Sequence, residues 1–130
     1  MEKQKFIEKM EELIQFFKDN GWCQYFLAGQ NHGEGTMVTP VTLGSPRANC
    51  YCLMGGCYMM AIGKTYEETS TWADTFTVKL NALIAKKYEC KDANTMANFN
   101  DNHCENKEDF LIKLQQLLED AKNEKQGFFE

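Results

Sequence analysis

Apolar residues recur at helical spacing over three stretches of the chain. Phe6, Ile7, Met10, Leu13, Ile14 and Phe17 form one stripe between about Lys3 and Asp19, with Glu and Lys on the opposite face. Phe110, Leu111, Leu114, Leu117, Leu118 and Ala121 form another. Ahead of it, Asn106 and Asp109 have the spacing of a capping pair, and Glu108 suits the positive end of a helix. Trp72, Phe76, Leu80, Leu83, Ile84 and Tyr88 mark a third helix over Ser70–Lys87, preceded by the capping-box form Thr65-Tyr66-Glu67-Glu68. Ala48–Ile62 has no stripe, being apolar nearly all round, which predicts a helix buried at the centre of a domain. Ser45-Pro46 supplies its start and Gly63 its end. Gly55 and Gly56 inside it cost about 1 kcal/mol each relative to Ala, which points to close approach by another backbone or a ligand.

The remaining segments lack the helical period. Gly21 follows Asn20 as a helix stop at positive φ, and Gln30–Gly35 has the composition of a loop. Thr36–Leu43, rich in Thr and Val with Pro40 inside, suits one short edge strand or an extended loop. Thr95–Asn106 is polar and Asn-rich and reads as a structured loop. Gln126–Glu130 reads as a tail whose two Phe residues dock on the core or on a partner. The expected fold is therefore mainly α: a compact four-helix domain with a central buried helix and at most one short β hairpin between helices 1 and 2. Residues 1–125 are expected as a single domain and 126–130 as a C-terminal tail.

Composition narrows the function classes. The 130 residues are 43% hydrophobic and 25% charged, a globular balance, with a net charge of −5 that opposes binding to a nucleic-acid backbone. No run of 18 uncharged apolar residues exists, so no membrane helix is expected. The charged N-terminal segment has no apolar signal core, and a cytoplasmic location follows as the expectation. Six cysteines, at 23, 50, 52, 57, 90 and 104, are then expected reduced. Cys52 and Cys57 half-match a zinc-ligand pair that no second pair answers, so neither metal nor cofactor is expected. Signals for catalysis are sparse: Cys52 with His103 is the one nucleophile–base pairing on offer, and Glu67 or Glu68 with Asp101 the one carboxylate pairing. More of these patterns fit a binding protein than an enzyme, and the chain is open to oligomerisation.

Three elements together carry a resemblance: Gly21-Trp22-Cys23-Gln24 after a helix, Cys50-Tyr51-Cys52-Leu53-Met54-Gly55-Gly56 opening a buried helix, and Phe99-Asn100-Asp101 before the final helix. In that order they resemble a family of uncharacterised small domains of bacteria, notably actinobacteria, and phages. That family has Gly-Trp-x-Gln, Cys-Leu-x-Gly-Ala and Trp-Asn-Asp elements. The similarity spans about residues 5 to 122, with Gly56 in place of Ala and Phe99 in place of Trp. It implies a shared fold and a shared set of special residues, and no reaction.

Those residues define a candidate ligand-binding set: Trp22, Gln24, Cys52, Gly55, Asn100 and Asp101. Trp22 offers a π surface, Gly55 close backbone approach, and Gln24, Asn100 and Asp101 donors and acceptors for a planar polar ligand such as a nucleobase. Against this stands the commoner use of Trp as core and of Asn-Asp as turn or helix caps. The balance expected is a structural Trp22, with Asn100 and Asp101 nearer the function, ahead of a helix N-terminus that receives an anion. The first expectation for function is a small non-catalytic protein. In the phage setting that the resemblance implies, it sequesters a nucleotide-type signalling ligand against host defence. The alternatives are an inhibitor or adaptor that binds a host protein, and a small hydrolase using Cys52 or Asp101.

Overall fold

The computed structural model describes residues 1–33, 37–61, 73–89 and 95–130. The first stripe forms α1 (Lys3–Asp19), with Phe6, Ile7, Met10, Leu13, Ile14 and Phe17 all buried as its spacing predicts. Four short strands follow: β1 (Gly21–Trp22), β2 (Ala28–Gln30), β3 (Thr39–Pro40) and β4 (Cys50–Tyr51). Then come α2 (Leu53–Ala61), a π-helical turn (Ala73–Thr77) running into α3 (Val78–Tyr88), α4 (Thr95–Asn102), α5 (Lys107–Asn123) and α6 (Gln126–Phe129). The fold is mainly α, with six α-helices and a four-stranded sheet among the described residues.

The sheet has the order β1-β4-β2-β3, with β4 parallel to β1 and antiparallel to β2. It exceeds the single hairpin expected, because Cys50 and Tyr51 form a buried strand in its middle and not the first turn of a helix. A short run of apolar residues buried on both faces has no period, so strand and helix look alike in sequence. Gly21 likewise departs from its expected role: its φ is not positive, and it opens β1. A Cβ there would lie 2.5 Å from the Asn49 carbonyl oxygen, which accepts from Gly21 N. Pro40 stands on the edge strand, where its missing N–H interrupts no inner ladder.

The core is organised around α1 packed on α5, with α2, β1 and α6 against other parts of α1. The expected centre, a helix over Ala48–Ile62, is shorter and less enclosed: α2 buries Leu53, Gly55, Gly56, Cys57 and Ala61, while Tyr58 is exposed. Thr95–Asn102 is a helix and not a loop, held by buried Met96, Phe99 and Asn100 on one face. The expected tail is α6, whose Phe129 is wholly buried against Phe6 at 5.1 Å. Asn106 caps α5 as expected, its side chain accepting from Asp109 N at 2.8 Å. The third stripe buries Phe76, Leu80, Leu83 and Ile84. Thr65-Tyr66-Glu67-Glu68, Trp72 and Cys90 lie outside the described residues. Among the described residues no helix is long and apolar enough to cross a membrane.

Of the glycines Gly21, Gly29, Gly33, Gly55, Gly56 and Gly127, Gly55 leaves least room for a side chain. A Cβ on it would lie 1.8 Å from the Leu27 carbonyl oxygen, a backbone atom with no rotamer to escape into. Gly55→Ala is therefore expected to lower stability by about 3 kcal/mol or to prevent folding. Gly127→Ala, where a Cβ meets nothing within 4 Å, is expected to be neutral or to gain about 0.5 kcal/mol through a less flexible unfolded chain. Chemical denaturation of both variants checks the contrast.

Candidate functional site

The three sequence elements converge. β1 ends at Trp22 and leads into Gln24, the first turn of α2 starts at Leu53, and the last turn of α4 carries Asn100 and Asp101. Asn100, 1% exposed, sits where they meet. Its Oδ1 accepts from the Trp22 indole Nε1 at 2.7 Å and from Leu53 N at 3.0 Å. Its Nδ2 donates to the Cys23 carbonyl at 3.1 Å and to Asp101 Oδ1 at 2.9 Å. Two donated and two accepted bonds exhaust what a carboxamide can form. The side chain therefore has no capacity left for a ligand, and its role is to join β1, α2 and α4.

The neighbours complete the joint. Gln24 Nε2 donates to the carbonyls of Asp101 and Cys104, each at 3.0 Å, and more weakly to that of Asn100 at 3.4 Å. It thus reaches two carbonyls that the end of α4 leaves without intrahelical donors, those of Asn100 and Asp101, and one just beyond the helix, that of Cys104. Trp22 stacks on Phe110 with centroids 5.4 Å apart and 23° between the planes, so one ring face is occupied by the core. Trp22 is half-buried, with its indole N–H bonded to Asn100. The placement of Asn100 and Asp101 is corrected: they occupy the final turn of α4, the negative end of a helix, and not the approach to a helix N-terminus. Gly55 serves the close approach of the Leu27 carbonyl, a backbone neighbour.

Cys52 stands one residue before α2, and its Sγ accepts from Gly55 N at 3.4 Å. Burial pushes its thiol up, and three backbone N–H contacts at the helix start only partly offset this. Burial first, and then the Cys50 thiol beside it, push Cys23 up further; burial does the same for Cys57 and raises Cys104 to about 12. These are protonated, enclosed thiols, the opposite of the exposed thiolate that nucleophilic chemistry uses. All five described cysteines are buried and unbridged. Among the described residues no group of three or more His, Cys, Asp and Glu side chains is placed to hold a metal ion.

The surface feature of the cluster is a residue that sequence reasoning did not single out. Tyr25 follows Gln24, has φ +73°, and is 72% exposed. Its backbone N–H donates to Asp101 Oδ1 at 3.0 Å. Phe26 is half-buried beside it, and Leu27, 43% exposed, is seated on α2 through Gly55. Nothing in the residue type signalled a left-handed backbone at Tyr25, since that region favours Gly, Asn and Asp. The visible trace was the Tyr-Phe-Leu run itself, apolar and without a period.

Two outcomes follow from this geometry. Asn100→Ala strands Leu53 N, the Trp22 indole N–H and the Cys23 carbonyl together, and is expected to cost about 3 kcal/mol or more in denaturant titration. The raised thiols set an alkaline limit. A group whose folded pKa lies above its unfolded value contributes stability that is fully present below the unfolded pKa. That contribution is lost as pH rises towards the folded one. For Cys104 the window runs from 9.0 to about 12, and the other raised thiols act in the same direction. The melting temperature should hold to about pH 9 and then fall steadily, as a pH series of thermal melts would record.

No characterised protein and no solved structure matches the chain. A match to a protein family extends over residues 1–120, and the chain belongs to that family of unknown function, DUF6197.

Proposed function

We propose that the protein is a non-catalytic binding module whose target is another protein, met by the Tyr25–Leu27 turn. The observation that carries this reading is Tyr25 itself, an aromatic side chain 72% exposed on a backbone at φ +73°. A non-glycine residue in that region costs about 1–2 kcal/mol, and such strain persists only where surrounding contacts impose it. Here the Asp101 bond, the Gln24 bonds and the Leu27–Gly55 contact impose it from three sides. The strained ring contributes little packing in return. Tyrosine is among the residues enriched at the energetic centres of protein interfaces. Leu27, two residues on from Tyr25, is 43% exposed and adds apolar surface to the turn.

The protonated, buried thiols support binding over catalysis. The saturation of Asn100 and the occupied face of Trp22 favour a protein target over a stacked nucleobase. An inhibitor or adaptor of this kind is compatible with a phage protein acting against host defence.

Tyr25→Gly isolates the function from the fold. Glycine takes φ +73° freely, while losing about as much through its own flexibility in the unfolded chain. Its stability is expected to stay within about 0.5 kcal/mol of the parent. Proteins co-purified from host lysate by the tagged parent should also be recovered with Ile112→Ser, an exposed position on α5, and lost with Tyr25→Gly and Leu27→Ser. Recovery that ignores Tyr25→Gly overturns the proposal. A thermal shift with nucleotides or cyclic nucleotides approaching 2.7 kcal/mol at 100 times the dissociation constant, against none with protein, would transfer the function to a small ligand.

A further inference from the structure

The joint beneath the turn leaves two acceptors unspent. Asp101 uses Oδ1 for Tyr25 N and Asn100 Nδ2, and among the described residues no donor reaches its Oδ2. Gln24 uses Nε2 for three carbonyls, and no donor reaches its Oε1. Both side chains are half-buried, and neither of these oxygens is enclosed. Asp101 holds the Tyr25 backbone N–H through its other oxygen, and Gln24 is the residue before Tyr25. The setting is anionic beyond the carboxylate, because Asp101 stands in the last turn of α4, where the helix carbonyls collect. The lysines at this end are committed elsewhere. Lys107 donates to the Asn20 carbonyl at 2.9 Å, and Lys113 to Asp109 Oδ2 at 3.0 Å and to the His103 carbonyl.

A carboxylate oxygen and an amide oxygen that accept from no described donor, on a residue at the negative end of a helix and on the residue before an exposed tyrosine, suit a planar cationic donor. From this geometry we infer that the turn recognises an arginine side chain of the partner protein, its guanidinium bonded to Asp101 Oδ2 and Gln24 Oε1 and lying against the Tyr25 ring. Guanidinium suits all three contacts: it carries several in-plane N–H donors, it is weakly hydrated, and it stacks on aromatic faces. An ammonium group supplies the charge without the plane. Phosphate-bearing ligands meet a carboxylate and a helix C-terminus, and are repelled.

This inference rests on the protein-binding reading of the same turn, and its test separates the two. The probe is N-acetyl-arginine amide, titrated into the isotope-labelled protein and followed by amide chemical shifts. N-acetyl-citrulline amide serves as the neutral isostere and N-acetyl-lysine amide as the non-planar cation. Saturable shifts centred on Tyr25 and Asp101 are expected with arginine, at least fivefold weaker with lysine and absent with citrulline. Asp101→Asn keeps an Oδ1 acceptor for Tyr25 N and removes the charge; it should abolish the response at an unchanged melting temperature. Tyr25→Gly should weaken it several-fold. Equal responses to arginine and citrulline, shifts centred away from the turn, or an undiminished response in Asp101→Asn each overturn the inference. If the arginine probe fails while Tyr25→Gly still loses the co-purified partner, arginine recognition falls and the binding module stands. If the probe binds as expected and no co-purified partner depends on Tyr25, the protein-binding reading falls, and with it the assignment of the arginine to a partner protein.

Discussion

The structure depends on one buried carboxamide. Asn100 lies 47 positions from Leu53 and 78 from Trp22 in sequence, and bonds to both. Its four bonds close a junction between a strand end, a helix start and a helix end. Those are the places where backbone groups lose their regular partners. Leu53 N is one of the unpaired donors at the start of α2, and the carbonyls at the end of α4 are the matching acceptors. Asparagine supplies an acceptor to the first, and Gln24 supplies donors to the second. An apolar residue at either position would leave several buried groups unpaired together, and each such group costs about 1–3 kcal/mol. Asp in place of Asn100 would keep the acceptors and lose the donors to Cys23 and Asp101. The carboxamide is the side chain whose two halves match the two needs.

Once the junction is closed, the intervening chain has little freedom. Cys23 N is bonded to the Tyr51 carbonyl and the Cys23 carbonyl to Asn100, so the strand continues rigidly past β1. Gln24 is pinned to α4, and Leu27 must pass over Gly55 before Ala28 enters β2. Only three residues, Tyr25 to Leu27, run from the Asp101 bond to the α2 contact, and the reversal they make places Tyr25 in the left-handed region. The strain at that residue is thus imposed by the two flanking attachments and is not a local preference of its sequence.

The parts of this architecture that could be read in advance were those fixed by local periodicity. α1 and α5 announced themselves through complete stripes, and the Asn106 cap through its spacing from Asp109. α4 was obscured because Asn-rich sequence is poor in helix propensity, although Met96, Phe99 and Asn100 already had the i, i+3, i+4 spacing of a buried face. The sheet was obscured because its strands are two or three residues long, too short for an alternation to be seen. The grouping of Trp22, Gln24, Gly55, Asn100 and Asp101 was legible as a set. Its chemistry was not, because the direction in which a carboxamide spends its donors is a tertiary fact. Tyr25 was invisible for the same reason: its conformation is decided by Asp101 and Leu27 and not by tyrosine.

The distinction between a joint and a site therefore turns on what the cluster leaves over. A purely structural junction would be expected to consume every acceptor it brings together, or to leave the remainder to water at positions without other character. It would also be expected to place glycine, asparagine or aspartate at the strained residue, since these lower the cost of a positive φ. Here the residue at φ +73° is a tyrosine whose ring is mostly in solvent. The oxygens left over belong to Asp101, whose other oxygen holds the Tyr25 N–H, and to Gln24, the residue before it. A net charge of −5 adds a long-range attraction for cationic partners that salt would weaken. Strain, exposure and unspent acceptors coincide at one turn, and the interlocked core beneath supplies the rigidity that recognition requires.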